Sequence, residues 1–551
     1  VNTTKNSIGA VLIVALMVTL VVSILGSAML TLALTESQIA FNDRNATRAL
    51  YVAEMGVERA RRDLKYDATF DRDGMTNQYL ASPTPVAGGS PADCSATIPW
   101  QWPPPQQRCY DLGGPIPTAG FLPLYSNANL DSFGDGSTYT VQVGLRQSNK
   151  LTIRSEGTGP QGATKVVDVR VEVRDLSVWG NAAFLGGSGT GARINGNVVI
   201  AGSVHILGAG LGLTGVAADF GGTAGIFNWY NGLDPIFTGR VPDINPSTLD
   251  AEIRVSEGRI LMNSGSARVG NSTSDGVPAG IKLRVDGVYT NYGFAGTSGD
   301  TNVYSDTGTD YKYDVPPDNV IPFPSLTGPS PDVCCVTYED YLDANSWDPL
   351  PVLPGSAVSG SDLTIYATTA SFDVSNGTNR LAWNSATNTL TVEGIIRIPG
   401  SITQGGITGP TKIETITYTT GLAGGTLYAK KAGADWNETG TAGAHQVSIT
   451  INSSLIPLGV FPTGDRLGLI AKDRIHMTRA SKQVAAAVYA ENQVTIDKQY
   501  HVVGAVVSRF LDMGSQVPHL YQMPNLAKNL PPGMPGGNIF NYVKILSWRE
   551  L

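Results

Sequence analysis

Residues 8–35 read IGAVLIVALMVTLVVSILGSAMLTLALT, a run without a charged side chain. About 20 apolar residues cross a bilayer core as a helix, and this run exceeds that. Lys5 precedes it and Glu36 is the next charge. A secretory signal has a shorter apolar region of about 7–15 residues and a small-residue cleavage site, so this run is read as a membrane helix. The chain continues without proline as TESQIAFNDRNATRALYVAEMGVERARRDL. There Ala46, Leu50, Ala53, Val57, Ala60 and Leu64 recur at alternating spacings of four and three, one face of a helix. The attractive pair expected on the wet side is Glu58 with Arg62, four apart. One helix is therefore expected from about Ala10 to about Leu64. Its first half calls for lipid or other apolar helices, and its second half is able to dock on a globular body.

The whole chain has 551 residues, with Lys+Arg 38 against Asp+Glu 46 and a net charge of −8. Charged residues are 15% and hydrophobic residues 42%, enough to bury a core and unlike a disordered polyelectrolyte. The 64 Gly and 33 Pro suit short strands joined by tight turns. A pI near 5.2 argues against a nucleic-acid partner, which calls for a basic face. Collagen, coiled-coil rods and multi-span transporters are excluded by composition.

Residues 5–62 resemble the amino-terminal region of the PilX-type minor pilins of type IV pili and related secretion machines. The resemblance rests on Gly9-Ala10-Val11-Leu12-Ile13-Val14-Ala15-Leu16 after a short basic leader, and on Ala49-Leu50-Tyr51-Val52-Ala53-Glu54-Met55-Gly56 further along. Ala53, Glu54 and Gly56 stand at the family's motif positions. The resemblance implies cleavage by a prepilin peptidase between Gly9 and Ala10, with methylation of the new amine at Ala10. Val1 in place of Met fits a GTG start codon read literally, so the unprocessed precursor is expected. Major pilins carry Glu at the fifth mature position; here that position is Val14. Such a subunit suits a priming or tip position better than a repeating one. The implied partners are other major and minor pilins, a PilY-type tip adhesin, the peptidase and the inner membrane. The implied location is the inner membrane before assembly, then the pilus or cell surface.

The expected fold class is α+β, in four parts. Residues 1–9 are the leader. Residues 10–65 are the pilin helix, membrane-spanning over about 10–34. Residues 66–175 are a pilin-like head, irregular to 137 and then an antiparallel β-meander. Its strands are Tyr139–Leu145, Lys150–Ser155 and Lys165–Val173, with Glu156–Gly162 as linker. Residues 176–551 are a β-rich extension, read as β-helix-like with a β-sandwich as the alternative. Strand-like runs at 466–477, 485–496 and 501–508 are spaced like solenoid rungs. Residues 524–538 form a turn-rich cover, and YVKILSWREL adds an edge strand.

Four cysteines allow three full pairings. Cys94 and Cys109 flank a Pro-rich loop; Cys334 and Cys335 are adjacent and bridge each other or reach the first pair. They are read as structural staples, because neither pair makes a CxxC zinc knuckle. His205, His445, His476, His501 and His519 are scattered, without HExxH spacing. No G-x-S-x-G elbow or phosphate loop is present. Asp71-Arg72-Asp73-Gly74 and Asp131 to Gly136 place oxygens around a turn but lack full calcium-loop spacing. No catalytic residue, metal or cofactor is expected. The rival readings are a single-pass surface adhesin with a β-helix and a β-helix carbohydrate enzyme.

Overall fold

In a computed structural model, the structure describes residues 5–66, 121–129, 136–144, 150–187, 192–242, 249–273, 277, 280–308, 312–315, 321–434, 436, 445–513, 517–537 and 540–551. The chain divides into two compact units, residues 1–175 with 540–551 and residues 176–539.

The first unit begins with helix α1, Lys5–Tyr66, 62 residues. At 1.5 Å per residue it is about 93 Å long. It starts before Ala10, because Gly9 does not break it. Four strands follow: β1 (Phe121–Asn129), β2 (Thr138–Gly144), β3 (Lys150–Thr158) and β4 (Thr164–Leu176). They pair antiparallel in sequence order, and the carboxy-terminal strand Phe540–Glu550 lies beside β4. Three expectations are corrected here. Phe121–Asn129 lies in the stretch read as irregular, yet it pairs with β2. Glu156 to Thr158, read as linker, completes β3. The segment 540–551, assigned to the extension, closes this sheet: the Leu551 amide donates to the Val166 carbonyl at 2.9 Å, and Lys165 meets Glu550 at 2.7 Å. The second unit is therefore inserted between two neighbouring strands of one sheet.

In the second unit the strands stack in parallel, each on a strand one coil away. Gly394–Ile398, Gly425–Ala429, Leu467–Ala471, residues 487–490, residues 506–508, Ala183–Leu185, Val204–Ile206, Glu252–Val255 and Gly287–Thr290 form one column. This is parallel coil stacking, not the antiparallel face-to-face packing of a sandwich. The chain joins the column at Ala183, climbs to Thr290, crosses back to the far end and climbs again to Ser508. Two chain segments thus make one stack, joined where Val506, Val507 and Ser508 pair with Ala183, Phe184 and Leu185.

Strand alternation sorts the column into two faces. Ile396, Leu427, Leu469, Val488, Val506, Ala183, Val204, Ile253 and Val288 fill the interior. Their neighbours Arg397, Tyr428, Ile470, Tyr489, Val507, Phe184, His205, Arg254 and Tyr289 form an outer ladder. The returning chain covers that ladder. Asp314 holds Arg254 through two bonds of 3.0 Å, and the Tyr313 hydroxyl meets His205 Nε2 at 2.9 Å. The Leu326 amide donates to buried Glu491 at 2.7 Å. Helix α2 (Tyr338–Asn345), capped reciprocally by Thr337 and Asp340, places Glu339 at 2.8 Å from Lys472 and Asp343 at 2.5 Å from Lys430. Residues 524–537 are turns, and the Pro535 carbonyl accepts from the buried Trp179 indole at 2.8 Å.

Candidate assembly interface

Every side chain from Val11 to Arg44 is exposed, although Val11 to Leu34 are almost all apolar. Such a surface is stable in lipid or against other helices, not in water. Among the described residues this is the one helix long and apolar enough to cross a membrane, with mean hydropathy 2.7 over its best window. Four of its hydroxyls are satisfied within the helix. Thr19, Ser27, Thr31 and Thr35 donate to the carbonyls four residues earlier, at 2.8, 2.9, 2.9 and 2.8 Å. Apolar surroundings require that, because no water is there to pair them. Val14 is 59% exposed on this surface. Gly9 and Ala10 lie in helical backbone.

The lower half of α1 is docked. Ala49, Val52, Ala53, Val57 and Ala60 are fully buried, and all of these but Ala49 share a cluster with Tyr139, Val141, Val143, Ile153, Val167, Val169, Val171 and Val543. Two glycines set how closely helix and sheet approach. A Cβ on Gly56 would lie 2.3 Å from Ser155 Oγ; one on Gly157 would lie 2.3 Å from the Ala49 carbonyl oxygen and 2.4 Å from the Ala53 nitrogen. Ala53 and Gly56 are thus contact residues between helix and β3. Glu54 is half-buried beside them. Arg59 donates to the Tyr139 hydroxyl at 2.6 Å. Glu58 pairs with Arg61, three residues on, a partner the four-residue spacing rule did not pick out.

Cys334 and Cys335 are joined to each other. Cys94 and Cys109, the loop Asp71 to Gly74, and residues 131–135 of the second acidic loop lie outside the described residues. The histidines are less scattered than the sequence suggests. His501 and His519 face each other in adjacent coils, with ring centroids 4.6 Å apart. The available signal was one coil length between them, legible only once the coil is known. Burial, helped by His501, pushes His519 down to about 4. Burial, with Arg254 adding to it and Asp314 opposing it, pushes His205 down to about 3. His445 lies 3.2 Å from Asp473. Among the described residues no three His, Cys, Asp or Glu side chains gather as a metal site.

Residues 9–58 match the family model described as PilX N-terminal. The amino-terminal helix is PilX-like. The match covers the exposed apolar stretch and the docked face through Val57, so both halves of α1 lie within the PilX-type region. A search of curated proteins gave no match. Among solved structures, the crystal structure of the competence-associated pilin ComZ from Thermus thermophilus is similar, at a TM-score of 0.46 and 19% identity, over 92% of this chain and 97% of that one.

Proposed function

We propose that this chain is a minor pilin or pseudopilin of a type IV pilus or related filament. The observation that carries the reading is the PilX-like helix, bare and apolar from Val11 to Leu34 and docked on a sheet from Ala49 to Ala60. Its role is structural, not enzymatic: the bare half inserts among the helices of other pilins, and the docked half carries the head. Prepilin peptidase cuts between Gly9 and Ala10, and the Ala10 amine is then methylated. The subunit starts in the inner membrane and ends in the filament or at the cell surface, with the remainder of the chain on the outer side of that membrane. A PilY-type adhesin is a further partner.

Val14 supports a priming or tip position. A carboxylate there would neutralise a neighbouring subunit's amine, and burying that amine unpaired is costly. A subunit with Val14 is disfavoured beneath an existing subunit and suits the first place. The decisive experiment is Gly9→Val in the native host, read by mass spectrometry of the amino terminus. The variant accumulates as membrane-bound precursor, and the parent begins at Ala10. A variant that still matures to Ala10 removes the processing step. A parent that retains residues 1–9 in the filament fraction leaves a plain membrane anchor as the reading.

A further inference from the structure

A disulfide stabilises chiefly by closing a loop in the unfolded chain, and its effect grows with the length of that loop. Cys334 and Cys335 are neighbours already joined by a peptide bond, so their bridge closes almost nothing. Nor does it hold the surrounding hairpin together. That hairpin is closed beneath it by the Ser330 amide donating to the Val336 carbonyl at 3.2 Å and the Tyr338 amide donating to the Gly328 carbonyl at 2.9 Å. The Glu339 amide donating to the Leu326 carbonyl at 2.9 Å adds a third closure. The bridge is also not in a core. Cys334 is exposed and Cys335 half-buried, while Val333 and Val336 on either side are 103% and 83% exposed.

We propose that the Cys334–Cys335 disulfide is a thiol-exchange site, taking a thiol presented by an apolar segment of a partner protein. The chemistry is a two-step exchange. A partner thiolate attacks the Sγ of Cys334, the more exposed residue of the two. The sulfur–sulfur bond breaks, and its electron pair leaves on Cys335 Sγ, which takes a proton from water. With a single partner thiol, Cys335 as thiolate attacks Cys334 Sγ, expels the partner and restores the bridge. With a partner dithiol, the second partner thiolate attacks its own bound sulfur instead. Cys334 then leaves as a thiol, the partner is oxidised to a disulfide, and two electrons and two protons pass to the cysteine pair. Val333 and Val336 give such a partner an apolar contact on each side of the sulfurs.

The test uses the full chain in detergent. Mild dithiothreitol treatment without denaturant, followed by alkylation and peptide mapping, is expected to open Cys334–Cys335, and the Cys334→Ser, Cys335→Ser double variant is expected to keep the parent's thermal midpoint. Cys335→Ser with glutathione disulfide is expected to gain one glutathione at Cys334, and the Cys334→Ser, Cys335→Ser double variant loses that label. A cysteine peptide with apolar flanks is expected to exchange faster than glutathione. A bridge that opens only in denaturant, or a double variant that melts below the parent, makes it a staple and overturns the proposal. Equal rates for peptide and glutathione overturn the assignment of the source to an apolar protein segment.

Discussion

Gly157 has no room for a side chain. Its backbone passes the Ala49 carbonyl and Ala53 amide so closely that a Cβ would overlap both. Backbone cannot yield as a flexible side chain does, so Gly157→Val forces helix α1 off β3. Overpacking of this kind costs about 1–3 kcal/mol, and a fall in the first unit's thermal midpoint, followed by circular dichroism, checks it. An unchanged midpoint would mean that the helix is not docked this closely. His205 acts through pH. It is buried and neutral, with its affinity for a proton pushed from 6.5 to about 3, and His519 is pushed to about 4. Below 6.5 the unfolded chain binds protons that the folded chain refuses, so stability falls as pH drops through that window. Glu414, held down to about 2 by Lys412, Lys482 and Arg479, loses its contribution only from about 4.5 downward, so melts between pH 7 and 5 isolate the histidines. His205→Gln is expected to flatten that acid slope. A slope identical to the parent's would remove His205 as its source.

At the scale of elements, legibility follows how local the governing interaction is. Helix α1 was legible because its signal, an apolar run followed by a 3.6-residue period, is contained in the segment itself. Strand β1 was not: Pro123 and register shifts on either side of Tyr125 erase the alternation that marks a strand. The coils near the carboxy terminus were spaced evenly enough to notice, because Leu469 pairs with Val488 and Val488 with Val506. Elsewhere Val204 pairs with Ile253 and Leu427 with Leu469, and long outer segments between them hide the repeat. Of the candidate interface, the apolar surface and the Ala53–Gly56 face could be read in advance. The role of Gly157 could not, since it depends on a strand pressed against a helix far away in sequence. The deepest of these elements carries its own prediction. Ile496 is fully buried in the coil interior and pairs with Met477. Ile496→Asp places a carboxylate there without a partner, which costs several kcal/mol, a large share of a domain's typical stability. The second unit should lose its thermal transition, while Val14→Asp leaves that transition in place and affects only membrane insertion or assembly. An Ile496→Asp protein melting like the parent would contradict the interior position.

For the whole molecule, the informative feature is where the chain leaves and re-enters the sheet. β4 ends at Leu176 and the last strand begins at Phe540. The Leu551 amide on the Val166 carbonyl and the Lys165–Glu550 pair set the two strands antiparallel, which brings Leu176 and Phe540 to the same end of the sheet. Antiparallel neighbours can be joined by a two-residue turn, so nothing in the sheet itself requires the residues between them. Each unit also has its own apolar cluster, the condition for folding alone. The prediction has two halves. Replacing residues 177–539 by Asn-Gly should leave a membrane-inserted protein whose sheet still forms around Ala53, Val141 and Val169, detectable by amide exchange protection in β2, β3 and β4. The excised segment 176–539 should be soluble and strand-dominated by circular dichroism, because its coils close on themselves where Val506 meets Ala183 and need no strand from the sheet. Loss of protection in the shortened protein, with a folded excised segment, would show that the sheet depends on the insertion. A folded sheet with an unfolded excised segment would show the reverse dependence. Failure of both would mean that the two clusters form one cooperative unit.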